Sequence, residues 1–147
     1  MTEVRTITLN DGNKMPQLGL GVFRIPDHEK ARQTVEMALA NGYRMIDTAE
    51  AYDNQIAVGE AIAESAVNRD DIFLTTKIWV SNMSYEKATK AIDHDLKELG
   101  TDYIDLVLLH QPYGDTFGAW DALAAAKRAG KVRSIGLSNF YPDQYMN

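Results

Sequence analysis

One rhythm constrains this chain more than any other feature. Short apolar runs alternate with helical patterns, and four successive runs end in a polar or titratable residue: Asp47, Lys77, His110 and the pair Ser138-Asn139. The steps are 30, 33 and 29 residues, the last counted to Asn139, or about one strand-plus-helix unit each. The runs are Leu18 to Phe23, Met45-Ile46, Ile72 to Thr76, Ile104 to Leu109 and Ser134 to Leu137. They are nearly continuous in apolar residues rather than alternating, which suits strands buried on both faces of a parallel sheet.

The helices between them have readable ends. Asp27 is placed to cap a helix whose buried face is Ala31, Val35, Ala38 and Leu39, with Gly42 beyond it. Asn54 opens a second, Ile56 to Glu64, with Val58, Ala61 and Ile62 on one face. Ser84 opens a third, with Glu86 in its first turn, a stripe of Ala88, Ile92, Leu96 and Leu99, and Gly100 at its end. Trp120 and Leu123 lie in a fourth, which finishes Lys127-Arg128-Ala129-Gly130. Each is expected to carry a cap, dipole-matched charges and a terminal glycine. Ahead of all this, Asn10-Asp11-Gly12-Asn13 between two apolar segments predicts a β-hairpin over residues 5–18. The order is therefore hairpin, then β-α-β-α-β-α-β-α-β, an α/β chain with right-handed crossovers. A fifth helix is expected to start near Asn147.

Composition bounds the rest. With 147 residues the chain buries one core, in one domain over 1–147. A closed (β/α)₈ barrel takes about 250 residues, so only part of one is possible. A net charge of −6 argues against nucleic acid or an anionic membrane as partner. The absence of cysteine removes disulfides, thiolate metal sites and a cysteine nucleophile. No run of about 18 apolar residues exists to span a membrane, and Met1-Thr2-Glu3-Val4-Arg5 lacks the regions of a signal peptide. A soluble, cytoplasmic protein is expected.

In a barrel the carboxyl ends of the strands converge on one face, and that face holds the active site. Asp47, Lys77, His110 and Ser138-Asn139 thus become neighbours. Tyr52, five residues past Asp47, is placed to lean over them. A phenol ordinarily has a pKa near 10; an ammonium alongside favours the phenolate, and a carboxylate keeps a buried ammonium charged. An imidazole N–H can orient a carbonyl. Such a set can protonate an oxygen that is gaining negative charge. It holds no hydride source, so a reduction needs a cofactor. Taken singly, a strand-end lysine often only snorkels, a histidine after Leu108-Leu109 often only packs, and Trp79 suits a substrate wall and rim packing equally. The joint spacing distinguishes the set.

Other chemistries are not supported. Gly19-Leu20-Gly21 has Arg24 where a third glycine of a dinucleotide fingerprint belongs. There is no P-loop and no Gly-x-Ser-x-Gly elbow. His28, His94 and His110 are too scattered for a metal site evident in sequence, and His28 and His94 fall on polar helix faces.

The same residues resemble a known family. Gly42-Tyr43-Arg44-Met45-Ile46-Asp47-Thr48-Ala49-Glu50-Ala51-Tyr52 resembles the first signature of the aldo-keto reductases. Thr76-Lys77-Ile78-Trp79 resembles the stretch with their lysine, and Asp105-Leu106-Val107-Leu108-Leu109-His110-Gln111-Pro112 the stretch with their histidine. Ile135-Gly136-Leu137-Ser138-Asn139-Phe140 resembles their segment against the nicotinamide.

The resemblance implies a (β/α)₈-type fold, here a partial barrel of about five parallel strands and four helices behind a hairpin that closes the barrel bottom. It implies an NADPH-dependent oxidoreductase reducing aldehydes and ketones, most like the bacterial small-aldehyde and keto-ester reductases. Tyr52 would be the general acid, tuned by Lys77 and Asp47, with His110 positioning the substrate carbonyl. Ser138, Asn139 and Asp47 would meet the cofactor. Phe23, Trp79 and His110 would line the substrate pocket. The family usually reads Tyr-x-Asn-Glu, and here Gln55 takes the place of the glutamate; Gln111 stands where many members have tryptophan. The resemblance covers the family's first five strands and four helices. The expected partners are a small carbonyl substrate and either a second copy or a complementary C-terminal half. The alternative expectation is a half-barrel without activity of its own, associating through its strand edges.

Overall fold

A computed structural model describes residues 4–146. Met1 to Glu3 and Asn147, which enter the sequence reading above, lie outside the described residues.

The hairpin pairs β1 (Thr6–Thr8) with β2 (Lys14–Pro16), antiparallel, Ile7 opposite Met15. Five parallel strands follow in simple chain order: β3 (Leu20–Gly21), β4 (Met45–Asp47), β5 (Phe73–Ile78), β6 (Ile104–Leu109) and β7 (Val132–Leu137). Helices α1 (His28–Ala40), α2 (Gln55–Glu64), α3 (Tyr85–Glu98) and α4 (Thr116–Arg128) connect them, and a short α5 (Pro142–Tyr145) comes last. The alternation and the parallel order are those expected from the sequence.

Strand lengths differ from the apolar runs. The first run shrinks to two paired residues: the Val22 N–H still bonds the Asp47 carbonyl, but the chain turns away after it, with the Ile25 N–H bonding the Val22 carbonyl. β5 reaches two residues further than its run, through Lys77, and is buried along its whole length. α5 is one turn that begins before the position expected for the fifth helix.

Two of the caps, Asp27 and Ser84, are as read, and a third, Asp115, was not named from the sequence. Asp27 accepts from Lys30 N, Ser84 from Lys87 N and Asp115 from Gly118 N. The dipole-matched charges are complete only on α3, since α1 lacks a basic residue in its last turn, α4 an acidic one in its first and α2 both, and Ser65, not glycine, follows α2. Asn54 stands at its N-cap but makes no capping bond. Its side chain accepts from Thr48 Oγ1 (2.7 Å) and donates to the carbonyls of Val22 (3.0 Å) and Ile25 (3.1 Å), so it ties the β3 and β4 loops together instead.

The core runs between the sheet and its helices, with Leu39, Ile46, Leu74, Ile78, Ile92, Ile104, Leu109 and Leu123 essentially inaccessible. Gly59 is where α2 comes closest to the end of α3: a Cβ there would lie 2.6 Å from the Leu99 carbonyl oxygen. At the amino ends of the strands, Asp105 accepts from Arg69 (2.8 Å) and from Leu74 N (3.0 Å). The hairpin is tied to the same end. Asn13 Nδ2 reaches the Arg133 carbonyl and Ser134 Oγ at the start of β7, and Lys127 pairs with Asp11 at 2.6 Å. Partial burial would lift the Asp11 carboxyl, but bonds from Lys127, Ser134 and the Asn13 N–H outweigh it and hold its pKa at about 2.

Candidate active site

The carboxyl ends of β4, β5 and β6 deliver Asp47, Lys77 and His110. Parallel register sets them side by side: Asp47 is level with Thr75, and Lys77 with Leu108. After β4 a 3₁₀ turn, Glu50–Tyr52, swings Tyr52 back over the sheet.

The Lys77 side chain is 7% exposed, and its ammonium meets three oxygens. It pairs with Asp47 Oδ1, donates to the Thr48 carbonyl at 2.9 Å and reaches Tyr52 Oη at 3.3 Å. All three ammonium hydrogens therefore have an acceptor, as a buried charge requires. Asp47 is about one-third exposed, so its carboxylate keeps some contact with solvent.

The His110 ring stands edge-on to Tyr52 (centroids 5.8 Å) and to Trp79 (5.0 Å). Burial, and secondarily the Lys77 charge, push its pKa below the ordinary imidazole value against a smaller opposing pull from Asp47. Its Nδ1 is buried without a partner. A neutral ring with its proton on Nε2 would leave only a lone pair unmet there and turn its N–H elsewhere. Phe23, largely exposed, lies 5.1 Å from the Tyr52 ring and makes the outer wall. Trp79 and Phe23 thus flank the tyrosine–histidine pair from two sides.

Ser138 and Asn139 follow β7 on the same face. Asn139 adopts a left-handed backbone (φ 58°), and its Nδ2 donates to the His110 carbonyl (2.9 Å) and to Ser138 Oγ (3.0 Å). This leaves the Ser138 hydroxyl hydrogen and Asn139 Oδ1 free to face a ligand. That donor–acceptor pair is the complement of a primary carboxamide, so these residues fit the nicotinamide end of the implied cofactor.

Glu50 and Asp95 were not singled out by sequence reasoning, and Gln55 only as a departure from the family's usual glutamate. Glu50 accepts from the Trp79 N–H and from Asn82 Nδ2 (2.9 Å), which fixes where Trp79 stands. Gln55 is 3% exposed; it donates to Asp95 Oδ1 (2.8 Å) and Glu98 Oε2 (3.0 Å) and accepts from Thr76 Oγ1 (2.5 Å). Two carboxylates of α3 face position 55, which gives the amide donor there a physical reason where the family usually has glutamate. Burial, with Glu50 next in weight, raises Asp95 to about 8 although the Gln55 bond opposes this. A cleft of about 340 Å³ lies here, between α2 and α3 rather than over Tyr52. His28 and His94 do fall on exposed helix faces as read, His28 paired with Glu60 at 2.7 Å, but His94 belongs to this cleft.

Comparison with known proteins bears on the family and the fold. The sequence model of the Aldo/keto reductase family matches residues 17–147. A protein of Bacillus subtilis named glyoxal reductase is 43% identical over 136 residues, 92% of this chain and 49% of that protein. A solved aldo/keto reductase from Brucella melitensis superposes with a TM-score of 0.93 at 48% identity, covering 97% of this chain and 56% of that one. A Bombyx mori aldo-keto reductase solved in complex with NADP gives 0.90 at 36% identity, covering 99% and 54%. The chain spans about half the length of the curated relatives it matches, so its five strands make up part of the barrel of the solved proteins. With this fold, this match and these strand-end residues together, the chain belongs to the aldo/keto reductase family.

Proposed function

We propose that this chain supplies the proton-transfer side of an NADPH-dependent reduction of small aldehydes and ketones to alcohols. The observation that carries the reading is the Lys77 ammonium, buried, paired with Asp47 and 3.3 Å from the Tyr52 hydroxyl. NADPH, when bound, supplies the hydride. Tyr52 gives its proton to the carbonyl oxygen as negative charge grows there. Lys77 stabilises the phenolate left behind, and Asp47 balances Lys77. His110 donates from Nε2 to the same oxygen and fixes its direction. Ser138 and Asn139 hold the carboxamide, and Phe23 and Trp79 set a narrow aromatic slot suited to short carbonyls. The relative named glyoxal reductase and the NADP-bound neighbour support this substrate class and this cofactor.

The test is an NADPH titration followed through Trp79 fluorescence, then NADPH oxidation with a short aldehyde. Tyr52→Phe is expected to keep cofactor binding and to lose about 10²- to 10⁴-fold in kcat, the usual worth of a general acid. Full activity in that variant would overturn the assignment.

Because the sheet ends at both sides in unpaired strands, we propose that the working enzyme is an assembly in which a second copy or a complementary segment covers them. No helix of the described residues is long and apolar enough to cross a membrane, and we place the activity in the cytoplasm.

A further inference from the structure

The cleft between α2 and α3 lies apart from Tyr52 and His110, and nothing in the reduction uses it. Its lining holds four carboxylates (Glu50, Asp53, Asp95 and Glu98), two imidazoles, and no lysine or arginine. Glu50 spends both carboxylate oxygens on Trp79 and Asn82. The α3 groups are different. His94 and Glu98 sit one turn apart with Nε2 and Oε1 at 3.7 Å, and Asp95 is next to His94. One ligand atom from each of His94, Asp95 and Glu98 lies within 4.8 Å of the other two. Ligand atoms held at about 2.1 Å from one tetrahedral ion lie about 3.4 Å apart, so the three side chains would have to close by up to about 1.4 Å.

A separate observation points to an occupant. The Asp95 side chain is fully buried, yet its Oδ2 has no hydrogen-bond partner. A buried carboxyl oxygen without a partner costs stability whether or not it carries a proton. Gln55 supplies an orienting contact: it holds Asp95 Oδ1 and Glu98 Oε2 and leaves the remaining oxygens free.

We propose that this cleft is a divalent transition-metal site with His94, Asp95 and Glu98 as ligands, one imidazole nitrogen and two carboxylate oxygens, the remaining positions taken by water. An imidazole ligand selects zinc-like cations over magnesium or calcium. The ion would tie α3 to the Gln55 end of α2, and so to the turn that holds Trp79.

The chain, stripped with a chelator, is titrated with ZnCl₂ by calorimetry. The expected result is one equivalent bound. A hundredfold excess over Kd is expected to raise the thermal midpoint by about 9 °C. His94→Ala, at an exposed position, and Asp95→Asn, nearly isosteric, are each expected to weaken binding at least tenfold. In the unaltered chain Mn²⁺ is expected to broaden the His94 imidazole signal first. No saturable binding by the folded chain, binding unchanged in both variants, broadening confined to His28, or displacement of Zn²⁺ by millimolar Mg²⁺ would each overturn the proposal.

Discussion

Lys77 and His110 carry opposite electrostatic obligations within one small site, and each obligation yields a test. The Lys77 ammonium has its three oxygens, so its burial is satisfied rather than strained. Removing one member of a buried ion pair is costly because it strands the other charge, and the cost falls when that partner can reach water. Asp47 can, being about one-third exposed. Lys77→Met is therefore expected to unfold within about 1 kcal/mol of the unaltered chain in urea, while turnover by the active assembly falls at least a hundredfold. Equal losses in both would mean that the lysine is there for the fold. His110 works the other way. Its pKa is lowered in the folded chain, by burial first and by Lys77 next. The unfolded chain then binds the proton more readily, so stability is complete above the unfolded value, near 6.5, and declines as pH falls below it. Asp95, raised to about 8, acts in the opposite sense over the same range in every variant that keeps it. The test is therefore the difference in urea midpoint between the unaltered chain and His110→Gln, which is expected to shift against the unaltered chain as pH drops from 7.5 to 5. An imidazole titrating at or above 6.5 by NMR would remove the argument, and with it the neutral donor at Nε2.

Helices and loops show why part of the molecule was readable in advance and part was not. The capping of α1 and α3 and the buried face of α1 follow from periodicity and from local side-chain bonds, so Asp27, Ser84, Ala31 and Val35 announce themselves. Strand ends did so too, because regular spacing turns a list of polar residues into a constellation: Asp47, Lys77, Tyr52 and His110 do meet. What stayed hidden depends on contacts between residues far apart in the chain. Asn54 reads as a cap and acts as a tie, since Thr48 and the Val22 carbonyl outcompete the helix for its amide. Asp95 sits among polar residues of α3, and only Gln55, 40 positions away, makes it part of a site. Histidine spacing alone gave no hint of His94 for the same reason. Gly59 has no local signal either; its need comes from the Leu99 backbone. A methyl there would meet a carbonyl rather than a side chain able to move aside. Gly59→Ala is expected to cost about 1 to 3 kcal/mol despite the gain in helix propensity. A stabilised variant in thermal or urea unfolding would show that α2 can slide away from α3.

At the scale of the whole molecule, the sheet is the unresolved demand. Five parallel strands in simple order leave an edge at each end, β3 with two residues and β7 with six. Unpaired backbone groups along an edge favour pairing with another chain, and parallel sheets are ordinarily covered throughout. β7 offers the longer edge, and Ile135 and Leu137 on it are only partly buried. Two copies joined edge to edge at β7 would be related by a two-fold axis, which makes that junction antiparallel and self-complementary, a closed dimer rather than a filament. A head-to-tail junction of β7 with β3 would have only two residues on one side to pair. The dimer through β7 is therefore the expected species of the isolated chain. Sedimentation equilibrium across low to high micromolar concentrations is expected to show the average mass rising toward twice 16.4 kDa. Amide exchange in β7 is expected to slow over the same range, while that of β5, already paired on both sides, stays constant. A folded chain that remains monomeric throughout, with β7 amides no slower at high concentration, would mean that the edge is left for a different polypeptide, and the assembly would then have to be sought with a complementary segment rather than a second copy.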